Sequence, residues 1–307
     1  MTSRILITGS SGLVGTALHR AFEAMGDEVR CLDLVAAGAS AGDVRDPERL
    51  HAAVDGIDGI VHLAAVSRVV WAERAPAECA STNVGGTRNV LRAAAAAPRR
   101  PWVLFASSRE VYGEPDALPV DEGFPLRPLN VYGRSKVEGE ALVAAAQRAG
   151  LRAGVVRLSN VYGSVDDHVD RVVPAFVRAA VADEPLHVEG AEHVFDFTHV
   201  DDVAGAVTTY AALLGGSATA PAPIQLVSGV GTTLLELATL AKRLASAASP
   251  IHVAPPRRFD VTRFVGRPSR ARELLGWTAR TSLESGVGRL VRALREVRET
   301  HTQEVAR

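Results

Sequence analysis

Arg4-Ile5-Leu6-Ile7-Thr8-Gly9-Ser10-Ser11-Gly12-Leu13-Val14-Gly15 joins a short apolar run, a glycine turn and the start of a helical stretch. Gly9 permits the tight turn, Gly12 lets backbone N–H groups approach a pyrophosphate, and Gly15 lets the helix pack close to the strand before it. The helix N-terminus itself favours an anion. Cofactor contacts are therefore expected along Gly9, Gly12, Leu13, Val14 and Gly15. Three glycines alone carry little; between a strand and a helix, with a carboxylate ending the next apolar run, they read as a dinucleotide turn. That carboxylate is Asp33. It accepts hydrogen bonds from a ribose diol and repels a 2′-phosphate, so NAD is expected over NADP. An ordinary strand-end turn aspartate is the other reading. Asp43 and Val44 come next, where a loop would hold the adenine.

Outward from this turn, β-rich apolar runs at 4–8, 28–34, 60–64, 102–107, 153–158 and 224–228 alternate with helical segments near 13–25, 47–54, 82–97, 132–149 and 202–213. Such alternation predicts an α/β fold, a Rossmann-type doubly wound parallel sheet covered on both faces. Beyond Asn160 the rhythm breaks, with Pro174, Pro185, Pro250, Pro255 and Pro256 among the interruptions. The expected division is a cofactor-binding domain, 1–160 with 198–228, and a smaller C-terminal substrate-binding lobe, 161–197 with 229–307. The lobe should lie over the carboxyl edge of the sheet, where open α/β sheets bind ligands.

A net charge of −1 over 307 residues supplies no long-range field for nucleic acid or an anionic membrane, so neither is an expected partner. Apolar runs such as 91–98 are too short to span a bilayer, and the glycine turn comes too early for a signal peptide. Cys31 and Cys79 are the only cysteines. Two make neither a disulfide framework nor a zinc site, so no metal and a reducing cytoplasm are expected.

Tyr132-Gly133-Arg134-Ser135-Lys136 places a phenol and an ammonium on one helical face, with Cβ atoms about 5–6 Å apart. A phenol near pKa 10 is a poor base, and lowering it by ~3 units takes about 4 kcal/mol. One cation near 4 Å supplies roughly that amount at an effective dielectric of about 20. Lys136 and a positive nicotinamide would together make Tyr132 a usable base, with Lys136 also holding the nicotinamide ribose. A Y-x-x-x-K match alone is common in helices. Here a run ending in Ser107-Ser108 precedes it, and Ser108 offers a hydroxyl to the same substrate oxygen.

With these residues in view, the chain resembles the extended short-chain dehydrogenase/reductases that act on nucleotide sugars. The likeness rests on Gly9-x-x-Gly12-x-x-Gly15, Val61-His62-Leu63-Ala64-Ala65, Thr82-Asn83-Val84-Gly85-Gly86-Thr87, Ser107-Ser108-Arg109-Glu110-Val111-Tyr112-Gly113 and Tyr132-x-x-x-Lys136. Arg157-Leu158-Ser159-Asn160-Val161-Tyr162-Gly163, Asp196-Phe197-Thr198-His199-Val200-Asp201-Asp202 and Leu274-Leu275-Gly276-Trp277 come after them in order. The resemblance implies a nucleotide-diphosphate sugar as substrate, with the tyrosine taking a proton from its C4 hydroxyl while the C4 hydride passes to NAD. It implies Ala64 and Ala65 lining the cofactor site, Asn83 ordering the active-site backbone and Asn160 on the substrate diphosphate. It also implies a homodimer through helices near 82–97 and 132–149, although the Ala-rich face of the first equally suits an intrachain core.

The step after C4 oxidation depends on neighbouring residues. A 4,6-dehydratase resembling this chain carries Asp-Glu after the hydroxyl residue; Arg109-Glu110 stands there, and an arginine cannot protonate a leaving hydroxyl. UDP-glucuronate decarboxylases resembling it share a glutamate matching Glu110 and an arginine matching Arg171, so decarboxylation is the leading expectation. UDP- or dTDP-sugar 4-epimerisation is the alternative, with Glu110 then a solvated loop residue and Arg171 a helix-start surface arginine. A non-catalytic NAD(H)-sensing regulator is the reading from another class, opposed by the presence of Ser108, Tyr132 and Lys136. Many relatives carry a phosphate-clasping arginine where this chain has Phe195. Arg257 or Arg258 is expected to replace it among the substrate contacts, which otherwise comprise Ser108, Arg109, Asn160 and Arg171; Arg263 and Arg267 are further candidates.

Overall fold

The computed structural model describes residues 2–216, 221–256 and 261–305, with side chains to residue 300. From the N-terminus come β1 (Arg4–Thr8), α1 (Leu13–Ala24), β2 (Glu28–Leu32), α2 (Pro47–Val54), β3 (Gly59–His62), α3 (Val69–Arg74), α4 (Pro76–Cys79), α5 (Gly86–Ala96), β4 (Trp102–Ser108), α6 (Val131–Arg148) and β5 (Ala153–Leu158). Local chemistry sets many of these boundaries. Asp46 caps α2 through the N–H groups of Glu48 and Arg49, with Pro47 in the first turn. The helix expected near 82–97 begins earlier, and residues 80–85 widen into a π turn between α4 and α5. That widening contains Asn83.

The remaining elements are β6 (Asn160–Tyr162), α7 (Val172–Ala182), β7 (Leu186–Glu189), β8 (Val194–His199), α8 (Val200–Gly216), β9 (Ile224–Leu226), β10 (Gly231–Thr233), α9 (Leu234–Ala245), β11 (Ile251–Ala254), β12 (Arg263–Phe264), α10 (Ser269–Leu275) and α11 (Leu283–Val305). The main sheet runs β2-β1-β3-β4-β5-β9, parallel throughout. All six expected runs are its strands. The order reverses at β1, so the turn after β1 meets the segment after β3 at a topological switch point.

Alternation along β1 sends Leu6 to one face and Ile5 and Ile7 to the other. The first face packs on α2, α5 and α6 through Leu50, Val90, Leu91, Ala94 and Val143. The opposite face packs on α1 and α8 through Leu18, Phe22, Val203, Val207 and Tyr210. Within the described chain, the alanine-rich α5 thus buries its inner side against its own sheet.

A second core holds Phe176, Leu186, Phe195, Phe197, Leu237, Phe264 and Val291. Val111, Tyr112 and Val120 pack there too, although they precede Asn160 in sequence. Asp196, fully buried on β8, accepts from the Ser228 N–H at 2.8 Å, the Ser228 hydroxyl at 2.7 Å and the Gly229 N–H at 2.8 Å. This carboxylate fastens β8 to the segment that leaves β9. Among the described residues, no helix is long and apolar enough to cross a membrane, and no three His, Cys, Asp or Glu side chains group as metal ligands.

Candidate active site

At the switch point, Gly9 has φ +74°, and a Cβ there would lie 2.6 Å from the Ala64 nitrogen. A Cβ on Gly15 would come within 2.4 Å of the Gly9 oxygen. Both contacts require glycine. Gly12 differs: a Cβ there would meet nothing nearer than 3.5 Å, so it would fill the open cradle above the turn. Gly12 also starts α1 without a side-chain cap, which leaves the helix N–H groups for an anion. The turn fits a dinucleotide pyrophosphate. Asp33 stands beside it, accepting from the Ser11 N–H at 2.9 Å and the Val35 N–H at 3.0 Å.

A cavity of about 500 Å³ runs from this turn into the second core's side of the molecule. It brings together Gly9, Gly12, Leu13, Val14, Gly15, Ala65, Ser108, Arg109, Glu110, Tyr132, Lys136, Asn160 and Arg171 from the sequence reading. Asp33, Asp43, Val44, Ala64 and Asn83 are not in its wall. Asp43 is ion-paired with Arg45 at 2.6 Å. Val44 is buried under α5, where a Cβ on Gly86 would strike it at 2.5 Å. Burial of the Val44 side chain fixes this loop against α5. Asn83 accepts from the Val66 N–H at 2.8 Å and donates to the Ser135 hydroxyl at 2.8 Å. It orders the strand-end backbone beside Ala64 and Ala65 without facing the cavity. Arg257 and Arg258 lie outside the described residues.

Ser108 ends β4 and Tyr132 lies in the first turn of α6, and both line the cavity. Asn130 caps α6 by accepting from the Gly133 N–H at 2.7 Å. Its amide donates to Glu110 Oε2, also at 2.7 Å. Glu110 Oε1 pairs with Arg109 Nη2 at 2.9 Å. Glu110 is 6 % exposed, so the solvated-loop reading of it is wrong. Beneath lies a buried network in which Glu140 receives the Ser107 hydroxyl at 2.5 Å and Arg157 Nη2 at 2.7 Å.

Lys136 is 3 % exposed and donates from Nζ to the Ala106 carbonyl at 2.8 Å. Nζ lies 5.7 Å from the centre of the Tyr132 ring. The expected depression of the tyrosine by this lysine is absent from the protein alone. Burial pushes Tyr132 up to about 12, against the hydrogen bond from Ser108 and the charge of Arg171, which pull it down. Burial also drives Lys136 down to about 8. Desolvation outweighs the charge pairing because the ammonium is turned to Ala106.

Sequence reading missed a cluster of charge pairs at the cavity wall. Arg68, half-stacked on Trp71, is ion-paired with Asp170, and the Trp71 and His168 rings meet edge-on at 5.1 Å. Arg171 starts α7 and lies 3.4 Å from Asp167. Charge pairs about a hundred residues apart leave no local pattern; only the i, i+4 spacing of Asp167 and Arg171 was readable.

Residues 5–216 match the NAD dependent epimerase/dehydratase family. The chain is 30 % identical to UDP-glucose 4-epimerase of Streptomyces lividans, over 90 % of this chain and 92 % of that protein. It is 29 % identical to UDP-glucuronic acid decarboxylase 1 of Arabidopsis thaliana, over 94 % of this chain and 69 % of that one. Among solved structures, MoeE5 in complex with UDP-glucose and NAD superposes with a TM-score of 0.88 at 26 % identity, covering 96 % of this chain and 99 % of its own.

Proposed function

We propose that this chain, which belongs to the NAD-dependent epimerase/dehydratase family, interconverts a UDP-sugar and its C4 epimer. The observation that carries this reading is the state of Glu110 beside the base. One oxygen is held by Arg109 and the other by Asn130. A dehydratase needs an acid for the departing hydroxyl, and a decarboxylase uses a carboxylic side chain near the ring. Glu110 lines the cavity with each of its oxygens already holding one protein donor. Elsewhere in the wall, Asp170 is ion-paired with Arg68, and Asp167 lies 3.4 Å from Arg171 with its second oxygen buried and without a hydrogen-bond partner. Epimerisation asks only for proton transfer at O4 and access for hydride to both faces of C4.

Bound NAD would supply the hydride acceptor at C4 and its donor on return. Ser108 and Tyr132 converge on one substrate oxygen, so the serine hydroxyl orients the C4 hydroxyl while the phenol exchanges its proton. Lys136 holds positive charge beneath that phenol at neutral pH, because its pKa stands at about 8. Asp33 would take the adenosine ribose and the glycine turn the pyrophosphate. UDP is the favoured nucleotide because the Streptomyces lividans relative is named for it.

Decarboxylation, the leading expectation from Glu110 and Arg171, has less support: Glu110 is held by Arg109 and Asn130, and the Streptomyces lividans relative is a UDP-glucose 4-epimerase. Incubation of purified protein and NAD with UDP-glucose, and separately with UDP-glucuronate, tests the reading. Expected is an unchanged mass with inverted C4. Loss of carbon dioxide from the uronate would replace epimerase with decarboxylase. The homodimer through α5 and α6 is a further proposal, tested by sedimentation of the free protein.

A further inference from the structure

Phe195 on β8 stands where the resemblance expects an arginine for the substrate diphosphate, and the structure places a different arginine against it. The Arg109 guanidinium carbon lies 4.5 Å from the centre of the Phe195 ring. Its Nε donates to Asn160 Oδ1 at 3.1 Å, and its Nη2 pairs with Glu110 at 2.9 Å. Three neighbours therefore fix the planar group: a ring on one face, an amide at one edge and a carboxylate at another. Nη1 is buried and has no hydrogen-bond partner. A guanidinium carries five N–H donors and cannot lose its charge. Leaving two of them unmatched inside the protein is costly unless another group meets them.

Arg109 directly follows Ser108 and lines the same cavity as Tyr132. A group entering to meet Nη1 is thus a group of the substrate. The chemistry that suits a preorganised, charge-assisted donor is an oxyanion. Asn160, its carbonyl oxygen taken by Arg109 Nε, lines the same cavity.

We propose that Arg109 is the oxyanion-recognition group of the substrate pocket, supplying from the turn after β4 the positive charge that β8 lacks at Phe195. The oxyanion is a phosphate oxygen of the nucleotide or a carboxylate on the sugar. This rests on the UDP-sugar reading above for the identity of the ligand, but not on the epimerase reaction. Glu110 is on this account a positioning residue, holding Arg109 with one oxygen and the cap of the tyrosine helix with the other.

The test compares the unaltered protein with Arg109→Gln and Arg109→Lys. Calorimetric binding of UDP and steady-state turnover of UDP-glucose and UDP-glucuronate are the readouts. NAD binding and thermal midpoint report whether each variant is folded. Losing one charge-assisted hydrogen bond weakens binding about 10- to 100-fold. If the oxyanion is phosphate, Arg109→Gln weakens UDP by that factor and raises KM for both sugars alike. If it is a carboxylate, UDP binding is unchanged and KM rises for UDP-glucuronate alone. Arg109→Lys, which keeps the charge but not the fork, should recover part of either loss; it also carries the test if the glutamine variant does not fold. UDP affinity and both KM values within twofold of the unaltered protein would overturn the proposal. UDP binding without epimerisation would reject the reaction and leave Arg109 still tested. Failure of the unaltered protein to bind UDP or either sugar nucleotide would overturn both.

Discussion

Replacing Lys136 with methionine removes a charge that the fold buries almost completely, and the effect should depend on pH in a defined window. Lys136 is 3 % exposed, and burial holds its pKa at about 8 against an ordinary value of 10.5. Between those values the unfolded chain binds a proton that the folded chain has released. Stability contributed by this group therefore rises with pH from about 8 to about 10.5, and is lost as pH falls over that same interval. The full difference is about 3 kcal/mol. Between about pH 7 and about pH 9.5 the accessible part is roughly 2 kcal/mol. Urea unfolding of nucleotide-free protein at those two pH values, for the native chain and Lys136→Met, isolates it. Groups common to both chains cancel, and packing changes at methionine shift both points equally. The native chain should gain roughly 2 kcal/mol on the variant as pH rises. A difference that stays flat would refute the desolvated ammonium.

Tyr132→Phe should lower turnover about 10²- to 10⁴-fold while UDP and NAD binding persist, as expected for loss of the proton-transfer group; undiminished turnover would remove Tyr132 from that role. Glu140→Gln takes the charge from a buried pair whose partner, Arg157, is 4 % exposed. A loss of about 3 kcal/mol in urea unfolding is expected, and one below about 1 kcal/mol would show the pair to be dispensable. Asp33→Ala should weaken NAD about 10- to 100-fold and narrow any preference over NADP, measured by fluorescence titration of both nucleotides; an unchanged ratio would end the ribose assignment.

Much of the site was legible because its signals are local. A strand, Gly9, Gly12 and Gly15, and a helix announce the turn, since dihedral freedom and close approach are properties of single residues. Tyr132 and Lys136 declare themselves by helical spacing. Glu110 was not legible in the same way. Its sequence position fits a loop glutamate as well as an acid, and only the Arg109 and Asn130 side chains decide that it is buried and held.

The sequence by itself determined the strand–helix alternation, the parallel sheet, the dinucleotide turn and the tyrosine–lysine pair, because each depends on residues within one or two turns of one another. The tertiary structure alone decided how the pocket's charges are distributed. Arg109 meets Phe195, Arg68 meets Asp170 and Glu140 meets Arg157 only once the strands have aligned. Those partners lie far apart in the chain, so no periodicity records them. Desolvation, which holds Tyr132 high and Lys136 low, exists only where the assembled fold has excluded water.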